Sequence, residues 1–251
     1  MNMSENTVLI TGGGSGIGRG LAEAFYRLGN QVIIAGRRQV VLDQVAAANP
    51  GMRTIQLDID NPDAVKEFGK KFAVEFPGLN VLINNAGIQR VENLLAQPPD
   101  LETIQATFTT NLLGPIRVTA ALLPLLIRQE QSTIINVTSG LAFVPGSAVP
   151  SYCASKAAMH SYTLSLRQQL RNTTTAVIEL IPPYVQTDLG PSHGNDPRAM
   201  KLSDFVDEAM MIILKDPTTT EIVVERCRHL RFAAETGTFD ATFKWLNNGM
   251  A

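Results

Sequence analysis

Val8-Leu9-Ile10-Thr11-Gly12-Gly13-Gly14-Ser15-Gly16-Ile17-Gly18 is the stretch whose reading decides the fold. A short apolar run passes directly into a glycine-rich turn. A helical pattern follows, with Ile17, Leu21, Ala24, Phe25 and Leu28 on one face. Glycine at such a turn permits positive φ and lets an anion approach the backbone N–H groups at a helix N-terminus. A glycine cluster by itself more often marks a plain tight turn. The order strand, loop, helix is what points to nucleotide binding, with Gly12, Ser15, Gly16, Ile17 and Gly18 around a pyrophosphate. The spacing is G-x-x-x-G-x-G, not the G-x-G-x-x-G of many dinucleotide sites.

The same alternation runs through the rest of the chain. Strands are expected at Val8–Thr11, Gln31–Ala35, Arg53–Asp58, Val81–Asn84, Thr133–Val137, Ala176–Ile181 and Glu221–Val224. They are apolar on both faces, as strands of a buried parallel sheet must be. Helical segments are expected near 16–28, 38–48, 62–76, 99–128, 151–171 and 203–214, with Asn61-Pro62 as an N-cap and first-turn proline. Right-handed crossovers then give an α/β fold: a doubly wound, Rossmann-like parallel sheet of about seven strands with helices on both faces. With no repeat or linker, residues 1–251 read as one dinucleotide-binding and catalytic domain. The turn-rich stretch 190–197 suggests a substrate lid near 188–203, and the tail from Arg226 suggests an interface or a wall of the substrate pocket.

Composition narrows the function. The chain has 251 residues, 45% hydrophobic and 18% charged, with net charge −2, which suits a soluble domain and gives no basic face for nucleic acid. The run at 120–127 is too short to span a bilayer, and residues 1–6 lack the features of a signal peptide, so a cytoplasmic protein without membrane association is expected. Cys153 and Cys227 are expected to be buried, reduced thiols. Three scattered histidines, His160, His193 and His229, give no metal pattern; His160 reads as a core or interfacial residue.

The second strand bears on cofactor choice. A carboxylate at its end would bind a ribose 2′-OH, whereas arginine accommodates a 2′-phosphate. This chain reads Gly36-Arg37-Arg38, which favours NADP(H), with NAD(H) possible; the alternative is that both arginines are merely solvated at a helix start. Asp58 is placed either to accept from an adenine amino group or to cap the next helix.

Ser139, Tyr152 and Lys156 place a hydroxyl, a phenol and an amine where they could converge on one reacting carbonyl. Tyr152 and Lys156 are four apart, so a helix puts them one turn apart on one face. A phenol near pKa ~10 is a poor acid–base catalyst at neutral pH, and a close ammonium is expected to lower it. A shift of about three units takes roughly 4 kcal/mol, attainable in a dry site.

Together these segments resemble the short-chain dehydrogenase/reductase family over nearly the whole chain. The matches are Thr11-Gly12…Gly16-Ile17-Gly18, Asn84-Asn85-Ala86-Gly87, Thr110-Asn111-Leu112-Leu113-Gly114, Ser139, and Tyr152…Lys156. Ile181-Pro182-Pro183-Tyr184-Val185-Gln186-Thr187 resembles the family's Pro-Gly segment with Pro183 in place of glycine, a variant that looks like the DltE-type subgroup of bacterial reductases. The resemblance implies Tyr152 as general acid/base, Lys156 as its partner and a nicotinamide-ribose contact, and Ser139 on the substrate oxygen. It implies Asn111 holding a water in a proton relay. Asn85, Ala86 and Gly87 would lie along the cofactor, and Val185 and Thr187 beside its nicotinamide half. It implies a homodimer or homotetramer, a small-molecule carbonyl or alcohol as substrate, and hydride transfer between the two. The rival reading is a catalytically silent nucleotide-binding regulator or scaffold, which fold alone does not separate from the enzyme. A reductase of carrier-linked acyl groups would call for a basic docking patch, and a hydrolase for a nucleophile elbow; the chain shows neither.

Overall fold

The computed structural model of the chain describes residues 2–98, 100–189, 194 and 196–248. Seven parallel strands form one sheet: β1 (Thr7–Thr11), β2 (Gln31–Gly36), β3 (Arg53–Gln56), β4 (Leu79–Asn84), β5 (Ser132–Val137), β6 (Thr175–Ile181) and β7 (Glu221–Val223). Their order across the sheet is β3-β2-β1-β4-β5-β6-β7. The winding therefore reverses beside β1, and the crevice outside the carboxyl ends of β1 and β4 is the place where such sheets take ligands.

Alternation along the strands separates two cores. Val8 and Ile10 point to one face, Leu9 to the other. The first face is covered by α1 (Gly16–Arg27), α2 (Gln39–Ala48) and α7 (Leu202–Lys215), through Leu21, Phe25, Leu42 and Phe205. The second is covered by α3 (Pro62–Glu75), α5 (Gly114–Leu126) and α6 (Pro150–Leu170), through Phe68, Phe72, Leu122 and Leu166. Apolar side chains on both faces are buried in the central strands β1, β2, β4, β5 and β6, whereas the edge strand β3 (Arg53–Gln56) has no buried residue, a correction to the expectation of apolar faces throughout. Asn61 caps α3 as its sequence suggests, its side chain accepting from the Asp63 and Ala64 amides, with Pro62 in the first turn.

One further expectation needs correction. The segment read as one helix over 99–128 is three pieces: α4 (Leu101–Phe108), a π-helical turn (Thr109–Leu113) and α5. Asp100 starts α4 by accepting from the Thr103 amide at 2.9 Å. The π-turn accommodates Asn111, whose side chain reaches across to the β4 loop, and such turns recur at functional sites. The tail is partly helical, as α8 (Arg228–Arg231) and α9 (Phe239–Asn248). Leu230, Ala233 and Leu246 pack on Val144, and Asn247 accepts from the Ser147 amide at 2.6 Å and donates to the Pro145 carbonyl at 3.1 Å. The tail thus fixes the loop that leads into α6.

Candidate active site

The glycine loop sits at the topological switch. Gly16 has φ +52°, and a Cβ there would lie 3.3 Å from Thr187. At Gly18 a Cβ would fall 2.4 Å from the Gly12 carbonyl oxygen and 2.3 Å from Asn85 Nδ2, so no side chain fits. Ser15 occupies the N-cap of α1 in extended backbone, its side chain makes no capping bond, and the first turn carries no acid. The α1 amides are left for an external anion. This cradle fits the pyrophosphate of a dinucleotide.

Asn85 does something the sequence does not announce. Its Nδ2 donates to the carbonyls of Thr11 (3.0 Å) and Gly12 (3.3 Å), while Thr11 Oγ1 accepts from the amides of Asn85 (3.1 Å) and Ala86 (3.2 Å). The β4 loop and the glycine loop are thereby locked together. Asn85 holds the cradle through its side chain. Gly87 lies nearby, where a Cβ would be 3.7 Å from Lys156 Nζ and 3.2 Å from Asn111 Oδ1.

Arg37 and Arg38 stand at the end of β2, with Arg38 at the N-cap of α2. Arg37 Nη1 lies 3.8 Å from Asp60 Oδ2, which also accepts from Thr110 Oγ1 at 2.8 Å. Asp58 is exposed and accepts from the Asp60 amide at 3.1 Å; Asn61, not Asp58, caps the following helix. The capping alternative for Asp58 is therefore set aside.

Ser139, Tyr152 and Lys156 come together at the carboxyl edge of β5, each no more than 8% exposed. Ser139 starts a short 3-10 turn (Gly140–Ala142), its Oγ accepting from the Leu141 amide at 3.1 Å. Lys156 lies 5.7 Å from the centroid of the Tyr152 ring and donates to the Val137 carbonyl at 2.8 Å. Burial pushes the Tyr152 phenol up to about 12, the Ser139 side chain acting in the opposite direction. Burial also pulls the Lys156 ammonium down to about 8, against the Glu179 carboxylate. The expectation that the ammonium lowers the phenol is thus corrected: desolvation dominates both groups, and Lys156 is engaged by a backbone carbonyl.

Asn111 is 1% exposed, and its amide is fully committed. Oδ1 accepts from the Ile88 amide at 2.8 Å; Nδ2 donates to the Ile88 carbonyl at 2.9 Å and to Ser155 Oγ at 3.1 Å. It ties the β4 loop to α6. Val185 is buried, Thr187 meets Gly16, and the segment is anchored by a bridge from Val185 to Met200. Gly190–His193 and Asn195, the centre of the lid expectation, lie outside the described residues.

Two residues were not foreseen as contributors. Glu92 accepts from Ser151 N (2.9 Å) and Ser151 Oγ (2.7 Å), capping the helix that carries Tyr152. Glu179 is fully buried on β6 and meets His160 Nδ1 at 2.7 Å. A lone acid inside the apolar run Ala176–Ile181 was the available signal for Glu179; Glu92 sits in a loop and gave none. Phe143 is packed edge-on to His160, and Tyr184 donates from its hydroxyl to Asp196 at 3.0 Å. Both cysteines are buried and unpaired.

The short chain dehydrogenase family pattern matches residues 6–197. The uncharacterized oxidoreductase DltE of Bacillus subtilis (strain 168) is 39% identical over 253 residues, covering 98% of each chain. The chain belongs to the short-chain dehydrogenase/reductase family. It is an oxidoreductase of that family, and the DltE-type resemblance holds along its length. Among solved structures, a short chain dehydrogenase of Burkholderia cenocepacia J2315 in complex with NADP is similar to this dehydrogenase with a TM-score of 0.83 and 27% identity, over 97% of this chain and 99% of that one. A Burkholderia phymatum short-chain dehydrogenase/reductase in complex with NAD shares the fold, at a TM-score of 0.80, 21% identity and 96% of each chain. Among the described residues of this family member, no helix is long and apolar enough to cross a membrane, and no cluster of metal-ligating side chains occurs.

Proposed function

We propose that this short-chain dehydrogenase reduces a small-molecule carbonyl with NADPH, using Tyr152 as the general acid. The observation that carries the reading is a buried phenol, held protonated by its dry setting, beside the Ser139 hydroxyl and one helical turn from Lys156. Reduction needs a proton donor at the oxygen as negative charge develops there, and the protonated Tyr152 is in that state at neutral pH. A bound nicotinamide supplies the hydride.

The chain's own work is positional. Gly12, Ser15, Gly16, Ile17 and Gly18 cradle the pyrophosphate, with Asn85 fixing the loop and Ala86 and Gly87 lining the nicotinamide side. Arg37 and Arg38 meet the 2′-phosphate, and Asp58 faces the adenine. Val185 and Thr187 flank the nicotinamide half, and Lys156 reaches its ribose. Ser139 orients the substrate oxygen toward Tyr152. Because the Asn111 amide is committed, a relay water at this residue would be held by the backbone of the π-turn. The test is NADPH and NADH oxidation against a panel of ketones and aldehydes, with Tyr152→Phe beside the unaltered protein. Turnover that the variant loses supports the reading; binding of NADPH without turnover by either favours a silent nucleotide-binding module.

A further inference from the structure

Glu179 has no exposed surface and stands in the strand Thr175–Ile181, on the side covered by α6. A buried carboxylate without partners costs several kcal/mol, so its partners are informative. Thr138 Oγ1 donates to Oε1 at 2.6 Å, and His160 Nδ1 lies 2.7 Å from Oε2. Thr138 follows Val137, whose carbonyl holds Lys156. His160 follows Lys156 by one helical turn. The two elements that fix Lys156 therefore fix Glu179 as well.

The geometry points to Glu179 as a positioning residue: Thr138, next to the Val137 carbonyl that holds Lys156, and His160, one helical turn along α6 from Lys156, clamp its carboxylate, and that clamped carboxylate tunes the charge of Lys156. This rests on the proposed pairing of Lys156 with Tyr152. Burial is the largest influence on Lys156, and Glu179 is the one that opposes it. The other ionisable groups around the pair are accounted for. Tyr152 and Cys153 share α6, and Cys227 is buried near Arg231. Glu221, in register with Glu179 on β7, is bound by Arg231 at 2.8 and 2.9 Å. Arg231 also takes Glu235 at 2.5 Å and lies over the Phe143 ring, whose edge meets His160. Arg231 is thus spent on Glu221 and Glu235, and the charge of Glu179 is directed at α6.

The test reads Lys156 itself. Full-length protein carrying ¹³Cε/¹⁵Nζ-labelled lysine is titrated by NMR, with the Lys156 signal assigned by its loss in Lys156→Arg. The unaltered protein is expected to titrate near 8. Glu179→Gln, which keeps shape and hydrogen bonding but not charge, should move the midpoint down by about one pH unit. Glu179→Asp, which keeps the charge but withdraws it, should fall between the two. The alkaline limb of NADPH-dependent reduction should move with the NMR midpoint. An unmoved Lys156 midpoint in whichever variant folds overturns the proposal, as does a uniform loss of kcat with a fixed limb, the mark of a purely structural role. If the midpoint moves but no protein turns over NADPH, the charge coupling stands and the reductase reading falls.

Discussion

Lys156 Nζ donates to the carbonyl of Val137 at 2.8 Å, so the ammonium of α6 is tied to the end of β5. That bond places the cation within a turn of Tyr152 and turns the β5–α6 junction into one rigid unit. It also leaves the lysine almost without water, and the pH dependence follows from that.

Below about 8 the folded chain carries a charged, desolvated Lys156, while an unfolded lysine keeps its proton up to 10.5. Between these values the unfolded state binds more protons than the folded one, so stability rises with pH in that window. The size is about 3 kcal/mol, from the shift alone. Urea unfolding of the unaltered protein and Lys156→Met at pH 8 and pH 10.5 should show the difference in stability moving by that order in favour of lysine. A constant difference would mean that Lys156 is better solvated than its burial implies.

Gly18 admits no side chain. Gly18→Ala would press a methyl to 2.4 Å from the Gly12 carbonyl oxygen, backbone that moves only with the loop. NADPH affinity is expected to fall by about tenfold or more, and thermal stability with it, by an overpacking cost of about 1–3 kcal/mol. Gly78→Ala, where the nearest atom is 3.7 Å away, should change neither. Fluorescence titration with NADPH and thermal melts of both variants decide it.

The proposed NADPH preference assigns the choice between phosphate and hydroxyl to Arg37 and Arg38 at the end of β2. Replacing both by alanine should lower NADPH affinity by about tenfold or more through lost charge-assisted contacts, and leave NADH affinity nearly unchanged. Equal losses for the two cofactors would remove the arginines from the 2′-phosphate.

The tail frames the loop before α6 through Asn247 and residues 145–147. Should the tail close the substrate pocket, Asn247→Ala is expected to raise KM for the carbonyl by a few-fold with kcat largely kept, since it loosens the loop before α6 and leaves the proton donor alone. A loss confined to kcat would place the tail's influence on Tyr152 instead.

Much of this molecule was legible in its sequence because period and punctuation agree. The central strand runs bury both faces, and each expected strand lies within two residues of its place. The helix expected over 99–128 misled because a π-turn leaves no hydrophobic signature: it exists to bring Asn111 to Ile88 and Ser155, contacts distant in sequence. The tail was opaque for a related reason. No residue of α9 is buried, so its amphipathic pattern had little core to answer to. At the site, residue types announced Tyr152, Lys156 and the glycine loop. Electrostatics did not follow from spacing: the i, i+4 geometry was right, but burial outweighs the mutual influence of the two groups.

On the proposed function, the buried Tyr152 gives its proton to a carbonyl reduced by NADPH. The direct measurement is single-turnover and steady-state reduction by the unaltered protein and Tyr152→Phe, with NADPH binding followed in parallel. The variant should bind NADPH about as well and reduce the same carbonyl at least about 10²-fold more slowly. Undiminished reduction by Tyr152→Phe would contradict it.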